Sequence, residues 1–153
     1  MPNPRKKRPR GVVDTSVLIA GIAAFKNREP EELAASASML RNWIDNDTFL
    51  WLVNEDIMDE YKAILERCKV RPNLIGEVVN LIREVAEDVA AASGTDISPD
   101  PGDEPFCICA ERGNADFIVT LNPADFPQGK LRAHVIGPGD PIPTTARTRL
   151  RKA

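Results

Sequence analysis

Three carboxylates stand where an apolar pattern has no place for them. Asp14 follows Gly11-Val12-Val13 directly and is followed by Thr15 and Ser16, so a short apolar run ends on an acid and two hydroxyls. Glu60 lies in DIMDEYKAILERC. On a helical wheel Ile57, Tyr61, Ile64, Leu65 and Cys68 form one stripe, with Glu60 at its edge, one turn before Ile64, and Asp59 facing away. Asp103 immediately precedes EPFCICAER, with Phe106, Cys107 and Ala110 on its face. Asp100, three residues earlier among prolines, competes for the same role. A carboxylate against a core needs a partner, and carboxylates near one another repel. A divalent cation answers both problems, and an all-oxygen donor set suits Mg²⁺ or Mn²⁺.

Each acid also has a plainer reading. Asp14 could cap the helix that follows it. Glu60 could be a boundary residue turned to solvent. Asp100 and Asp103 could be turn and cap residues. Other chemistries have less to work with. His134 is the single histidine and falls in an expected strand, so a histidine-based zinc site is not expected. Cys107 and Cys109 form a C-x-C pair, but on a helix they point about 200° apart with no second Cys or His pair nearby. No serine or cysteine nucleophile has a convincing base.

The elements that would carry the acids alternate. A short buried strand is expected at residues 11–13, an apolar helix from Ser16 to Phe25, and a helix from Glu31 to Asn46 with Leu33, Ala37, Leu40 and Ile44 on one face. FLWLV, residues 49–53, reads as a buried parallel strand. Asn54 or Asp56 can cap the next helix, which runs to about Cys68, where VRPN breaks the pattern. A helix from Leu74 to about Ala90 follows, with Ile75, Val78, Val79, Ile82 and Val85 as its stripe. A turn-rich loop spans 93–105, and Asp103 caps a helix reaching about Arg112. Strands DFIVT, residues 116–120, and AHVIG, residues 133–137, close the pattern. Such alternation predicts an α/β fold with a mostly parallel sheet, whose sites form beyond the carboxyl ends of the strands. Asp14, Thr15 and Ser16 follow the first strand there, and Thr120, Asn122 and Asp125 follow the third.

Composition sets the frame. A chain of 153 residues suits one domain with a sizeable core. No apolar run approaches the roughly 18 residues needed to span a membrane. The basic N-terminus, MPNPRKKRPR, lacks the apolar segment of a secretory signal, so a cytoplasmic protein with reduced Cys68, Cys107 and Cys109 is expected. The net charge of −3 conceals an asymmetry. Residues 1–10 and the terminal ARTRLRKA hold nine of the twenty basic residues and no acid, which leaves a body of about −12 between two basic ends. The expected organisation is a basic flexible tail at 1–9, a domain at 10–143 and a basic tail at 144–153.

DTSVLIAG, then DIMDEYKAIL, then DPGDEPFCICAERGNADFIVTLNPADFP, together resemble the PIN-domain family of metal-dependent ribonucleases across residues 10–137. The closest resemblance is to the branch of toxin components of bacterial toxin–antitoxin systems. It implies a three-layer α/β/α fold around a twisted, mainly parallel sheet. It implies that Asp14, Glu60 and Asp103 are catalytic and bind Mg²⁺ or Mn²⁺, hydrolysing RNA with a metal-activated water. Family members often carry an Asp where Asn122 stands and an Asn where Ser16 stands. Asp125 lies three residues past Asn122 and could substitute, and the departures bear on a second metal. Thr15, Ser16, Thr120 and Asn122 would orient ligands or water. Lys62, Arg67, Lys69 and Arg71 could steer an RNA backbone, or serve as solvated helix-end charges. The resemblance also implies RNA as substrate, an antitoxin protein as partner and a tendency to dimerise, with no membrane contact. A PIN-like domain that binds RNA or protein without cutting is the alternative reading. A metal-dependent phosphatase or DNA nuclease shares the same acid chemistry.

Overall fold

The computed structural model describes residues 8–27, 31–90 and 103–143, and for 23–27 and 31–34 the backbone alone. Asp100, most of the 93–105 loop, residues 1–7 and the 144–153 tail lie outside the described residues. In chain order the elements are β1 (Arg10–Val13), α1 (Thr15–Asn27), α2 (Glu31–Asn46), β2 (Leu50–Val53), α3 (Glu55–Arg67), α4 (Pro72–Val85), β3 (Glu87–Asp88), α5 (Glu104–Arg112), β4 (Phe117–Val119) and β5 (His134–Ile136). Single 3-10 turns span Pro123–Asp125 and Gln128–Lys130.

The strands form one five-stranded sheet in the order β3-β2-β1-β4-β5, with every neighbouring pair parallel. Gly11, Val12 and Val13 are all buried although successive residues face opposite sides, so both faces of the sheet are covered. With helices around it, the sheet is consistent with the three-layer α/β/α arrangement. Register explains one small residue. Gly11 pairs with Phe117, and a Cβ at Gly11 would stand 2.1 Å from the Phe117 ring. An aromatic chain runs from there through the core: Phe117 on Phe49, Phe49 on Trp51, and Trp51 edge-on to Trp43 at 4.5 Å and to Tyr61 at 6.1 Å.

Several expectations need correction. The helix expected to reach Ala90 stops at Val85, because Val89 N donates to Val53 O and Glu87–Asp88 pair with β2 as an unforeseen edge strand. Ile44 and Val85, both placed on apolar stripes by the sequence, are 56% and 49% exposed. Ile44 borders a groove of about 350 Å³ among α1, α2 and α4, walled by Leu18, Ile22, Leu40, Trp43 and Leu81, and shares a smaller depression with Val85. Pro9, expected in the tail, accepts the Leu50 amide at 2.8 Å, and Arg8 pairs with Asp47.

Candidate active site

The site is built where β1 and β4 end. The Asp14 amide donates to Val119 O at 2.9 Å, extending the β1–β4 pairing, while the Asp14 carbonyl accepts from Val17 N at 3.0 Å and starts α1. The backbone of Asp14 is therefore held by a strand on one side and a helix on the other. Its side chain, 4% exposed, does not cap α1 as the plainer reading has it. Oδ2 instead accepts two hydroxyls, Ser16 Oγ at 2.6 Å and Thr120 Oγ1 at 2.8 Å.

Those hydroxyls are oriented in turn by the chain that leaves β4. Ser16 Oγ accepts Leu121 N at 3.1 Å, and Thr120 Oγ1 accepts Asn122 N at 2.9 Å. A hydroxyl has one proton to give, and with a backbone amide on its acceptor side that proton is directed at Oδ2. Among the described residues no Lys or Arg pairs with Asp14, and nothing donates to its other oxygen. A desolvated carboxylate with one oxygen saturated by neutral donors retains its need for a cation.

Glu60 arrives from α3. Asn54 caps that helix, its Oδ1 accepting Ile57 N at 2.8 Å, and its Nδ2 donates to Pro105 O at 3.3 Å. Asn54 thus joins the end of β2, the start of α3 and the start of α5. Glu60 is half-buried, and Asp59 is exposed as the wheel predicts. Thr15 Oγ1 donates to Glu60 Oε2 at 2.9 Å. The next residue, Tyr61, is fully buried and donates its hydroxyl proton to Val13 O at 2.6 Å while accepting from Trp51 Nε1 at 3.1 Å. Burial raises the Tyr61 hydroxyl well above its usual value against the opposing Trp51 bond, with the charges of Asp14 and Glu60 adding to the rise.

Asp103 occupies the N-cap position of α5, but its side chain makes no capping bond. Two features explain this departure from the expected cap. Its backbone, φ −97° and ψ −3°, is helical where a cap residue is extended, and Pro105 removes one of the amides a cap would bind. Burial, followed by the charges of Glu104, Asp103, Glu111 and Asp14, pushes the Cys107 thiol up to about 12. The field of Asp14 therefore bears on Tyr61 together with that of Glu60, and on Cys107 together with that of Asp103. Geometry links the three acids: Asp14 ends β1, Glu60 meets Thr15 beside it, and Asn54 at the end of β2 bonds Pro105, two residues past Asp103.

Their grouping has a limit. Among the described residues no group of three or more His, Cys, Asp or Glu side chains is arranged to hold a metal ion. The donor chemistry still fits a hard cation, since carboxylates meet hydroxyls there and Asp14 has no basic partner among the described residues. Thr120 is buried, Asn122 exposed and Asp125 half-buried in its 3-10 turn. Lys62, Arg67, Lys69 and Arg71 are all exposed. Arg67, seven residues after Glu60, leaves the same face of α3 roughly 10 Å further along. Sequence reasoning missed the Tyr61 hydroxyl and the second bond of Asn54. A tyrosine within an apolar stripe is the signal for the first, because a buried phenol needs a partner.

Comparison with known proteins bears on this geometry. The family profile described as PIN domain matches residues 10–124. No protein of curated function matches the chain. The matched stretch contains β1 through β4 and all three acids, and β5 extends the sheet beyond it. PIN domains are typically nucleases that use divalent metals. With the match spanning most of its length, the chain belongs to the PIN-domain family.

Proposed function

We propose that the protein is a metal-dependent endoribonuclease and the toxin component of a toxin–antitoxin module. Asp14, Glu60 and Asp103 would hold Mg²⁺ or Mn²⁺, and a divalent ion there supplies an activated water and charge stabilisation for phosphodiester hydrolysis. The observation that carries the reading is Asp14, a buried carboxylate with one oxygen held by two hydroxyls and no basic partner among the described residues. Ser16 and Thr120 fix its direction, and Thr15 fixes that of Glu60. Arg67, aligned with Glu60 on α3, together with Lys62, Lys69 and Arg71, offers an RNA backbone a basic approach to a domain that is otherwise acidic. Such a toxin would act in the cytoplasm, be silenced by an antitoxin protein and pair as a homodimer. No described helix is long and apolar enough to cross a membrane.

The test compares RNA cleavage by wild type, Asp14→Asn and Glu60→Gln with Mg²⁺, Mn²⁺ or EDTA. Cleavage lost in both variants and in EDTA supports the proposal, and cleavage unchanged throughout overturns it. Growth arrest on expression tests the toxin role. A second reading, a PIN domain that binds RNA or protein without cutting, draws on the absence of a metal-ready group among the described residues and on Asn122 at the position often held by Asp. Binding of RNA without cleavage under every metal condition is its signature.

A further inference from the structure

The geometry points to Tyr61 as the positioning residue that sets the distance between Asp14 and Glu60. This rests on the metal-site reading above and adds a residue to it. The register of β1 on β2 pairs Arg10 with Leu50 and Gly11 with Trp51, whereas β1 on β4 runs on to Val13 and Val119. Toward the acidic end, the β2 side of β1 is taken up by a side chain: the Val13 carbonyl accepts the Tyr61 hydroxyl at 2.6 Å.

The direction of that bond is fixed. An indole N–H only donates, so the 3.1 Å contact from Trp51 Nε1 occupies the acceptor side of the Tyr61 oxygen and sends its proton to Val13. Trp51 cannot turn away, because it is 1% exposed and stacked among Trp43, Phe49 and Tyr61. The phenol is thereby anchored to β1 and β2 while its own backbone belongs to α3.

Sequence adjacency converts this anchor into a spacing device. Val13 precedes Asp14 and Tyr61 follows Glu60. The Tyr61 bond ties a side chain of α3 to the backbone of β1, and the Thr15 bond to Glu60 joins the same two segments through their side chains. Two links between Val13-Asp14-Thr15 and Glu60-Tyr61 leave little freedom in how far apart the carboxylates stand. Thr15 alone would fix a rotamer of Glu60 but not the depth at which α3 lies on the sheet. Tyr61 fixes that depth.

The experiment measures Mn²⁺ affinity by titration calorimetry, with circular dichroism to verify folding, and RNA cleavage in parallel. Tyr61→Phe is expected to weaken Mn²⁺ binding by about tenfold or more and to lower kcat while KM for RNA is kept. Leu131→Ala, a core truncation of comparable stability cost, is expected to bind Mn²⁺ as wild type does. Trp51→Phe serves if Tyr61→Phe does not fold: it frees the phenol to rotate and is expected to give a smaller loss of affinity. Wild-type affinity in the folded Tyr61→Phe protein, in Trp51→Phe where that variant stands in, or an equal loss in Leu131→Ala overturns the inference and leaves the metal site intact. Absence of Mn²⁺ binding by wild type overturns both together.

Discussion

The hydroxyl of Thr15 and the carboxylate of Glu60 meet at 2.9 Å across 45 residues of sequence. Thr15 is the first residue of α1 and Glu60 lies inside α3, so the bond joins the two helices that flank the end of β1. Thr15→Val keeps the shape and removes the donor. It is expected to weaken Mn²⁺ binding by about tenfold, with Thr15→Ser close to wild type. Titration calorimetry on the three proteins decides it. Equal affinity across the set would mean the bond is incidental.

Ser16 offers a test of a different kind, because the family resemblance implies Asn as the alternative at this position. Its hydroxyl donates a hydrogen bond to Asp14 and accepts one from the Leu121 amide. An asparagine amide has both a donor and an acceptor and can satisfy both partners, whereas alanine satisfies neither. Cleavage should fall by about tenfold or more in Ser16→Ala and stay near wild type in Ser16→Asn. The two variants assayed side by side, with melting curves as control, separate orientation of Asp14 from general loosening.

Acids against apolar runs were legible because burying a charge leaves a mark in the local pattern: Asp14 ends an apolar run, and Glu60 edges an apolar stripe. Thr15, Ser16 and Thr120 were named as orienting residues from their place beyond the strand ends and from the family resemblance, but which atom each one meets was not legible. Thr120 reaches Asp14 across 106 residues and Tyr61 reaches Val13 across 48, and no local pattern encodes either distance. The parallel α/β arrangement followed from alternation of strand and helix periods. β3 escaped because it is two exposed acids, Glu87 and Asp88, made a strand only by pairing with β2. Ile44 and Val85 fit the wheel yet stay exposed, since periodicity finds an apolar face without knowing whether anything covers it.

The buried thiols give the fold a pH dependence. Burial, with the charges of Asp88 and Glu87 behind it, raises Cys109 from 9.0 to about 12, and Cys107 rises from 9.0 to about 12 as well. Both fold-state values lie above the unfolded value, so the folded chain holds protons that the unfolded chain releases. Stability is whole below about pH 9 and falls as pH climbs toward 12, by about 1.4 kcal/mol per unit for each thiol. Urea midpoints from pH 8 to 11 should decline less steeply in Cys109→Ala than in wild type. At pH 8 a disulfide reagent should modify the exposed Cys68 and spare the native Cys107 and Cys109.

Gly11→Ala tests the register that carries Asp14. The added methyl would meet the Phe117 ring at 2.1 Å, between strands that cannot part without moving the residue three positions on. A loss of about 1–3 kcal/mol in urea unfolding is expected. Pairing it with Phe117→Leu should recover part of that loss, which a clash elsewhere would not allow.

Lys69 separates stability from RNA contact. Its φ of 61° lies in the left-handed region, at the turn that ends α3, where Lys69 N bonds Glu66 O and Val70 N bonds Leu65 O. Glycine is the residue that adopts this conformation without strain, so Lys69→Gly should stabilise the fold by about 0.5–1 kcal/mol. If Lys69 also guides RNA, the same variant should raise KM at low salt, and the difference should vanish as salt is added. Lys69→Asn supplies the comparison, tolerating the backbone while removing the charge. A more stable protein with unchanged KM at low salt would assign Lys69 to the helix end and leave the approach to Arg67 and its other neighbours.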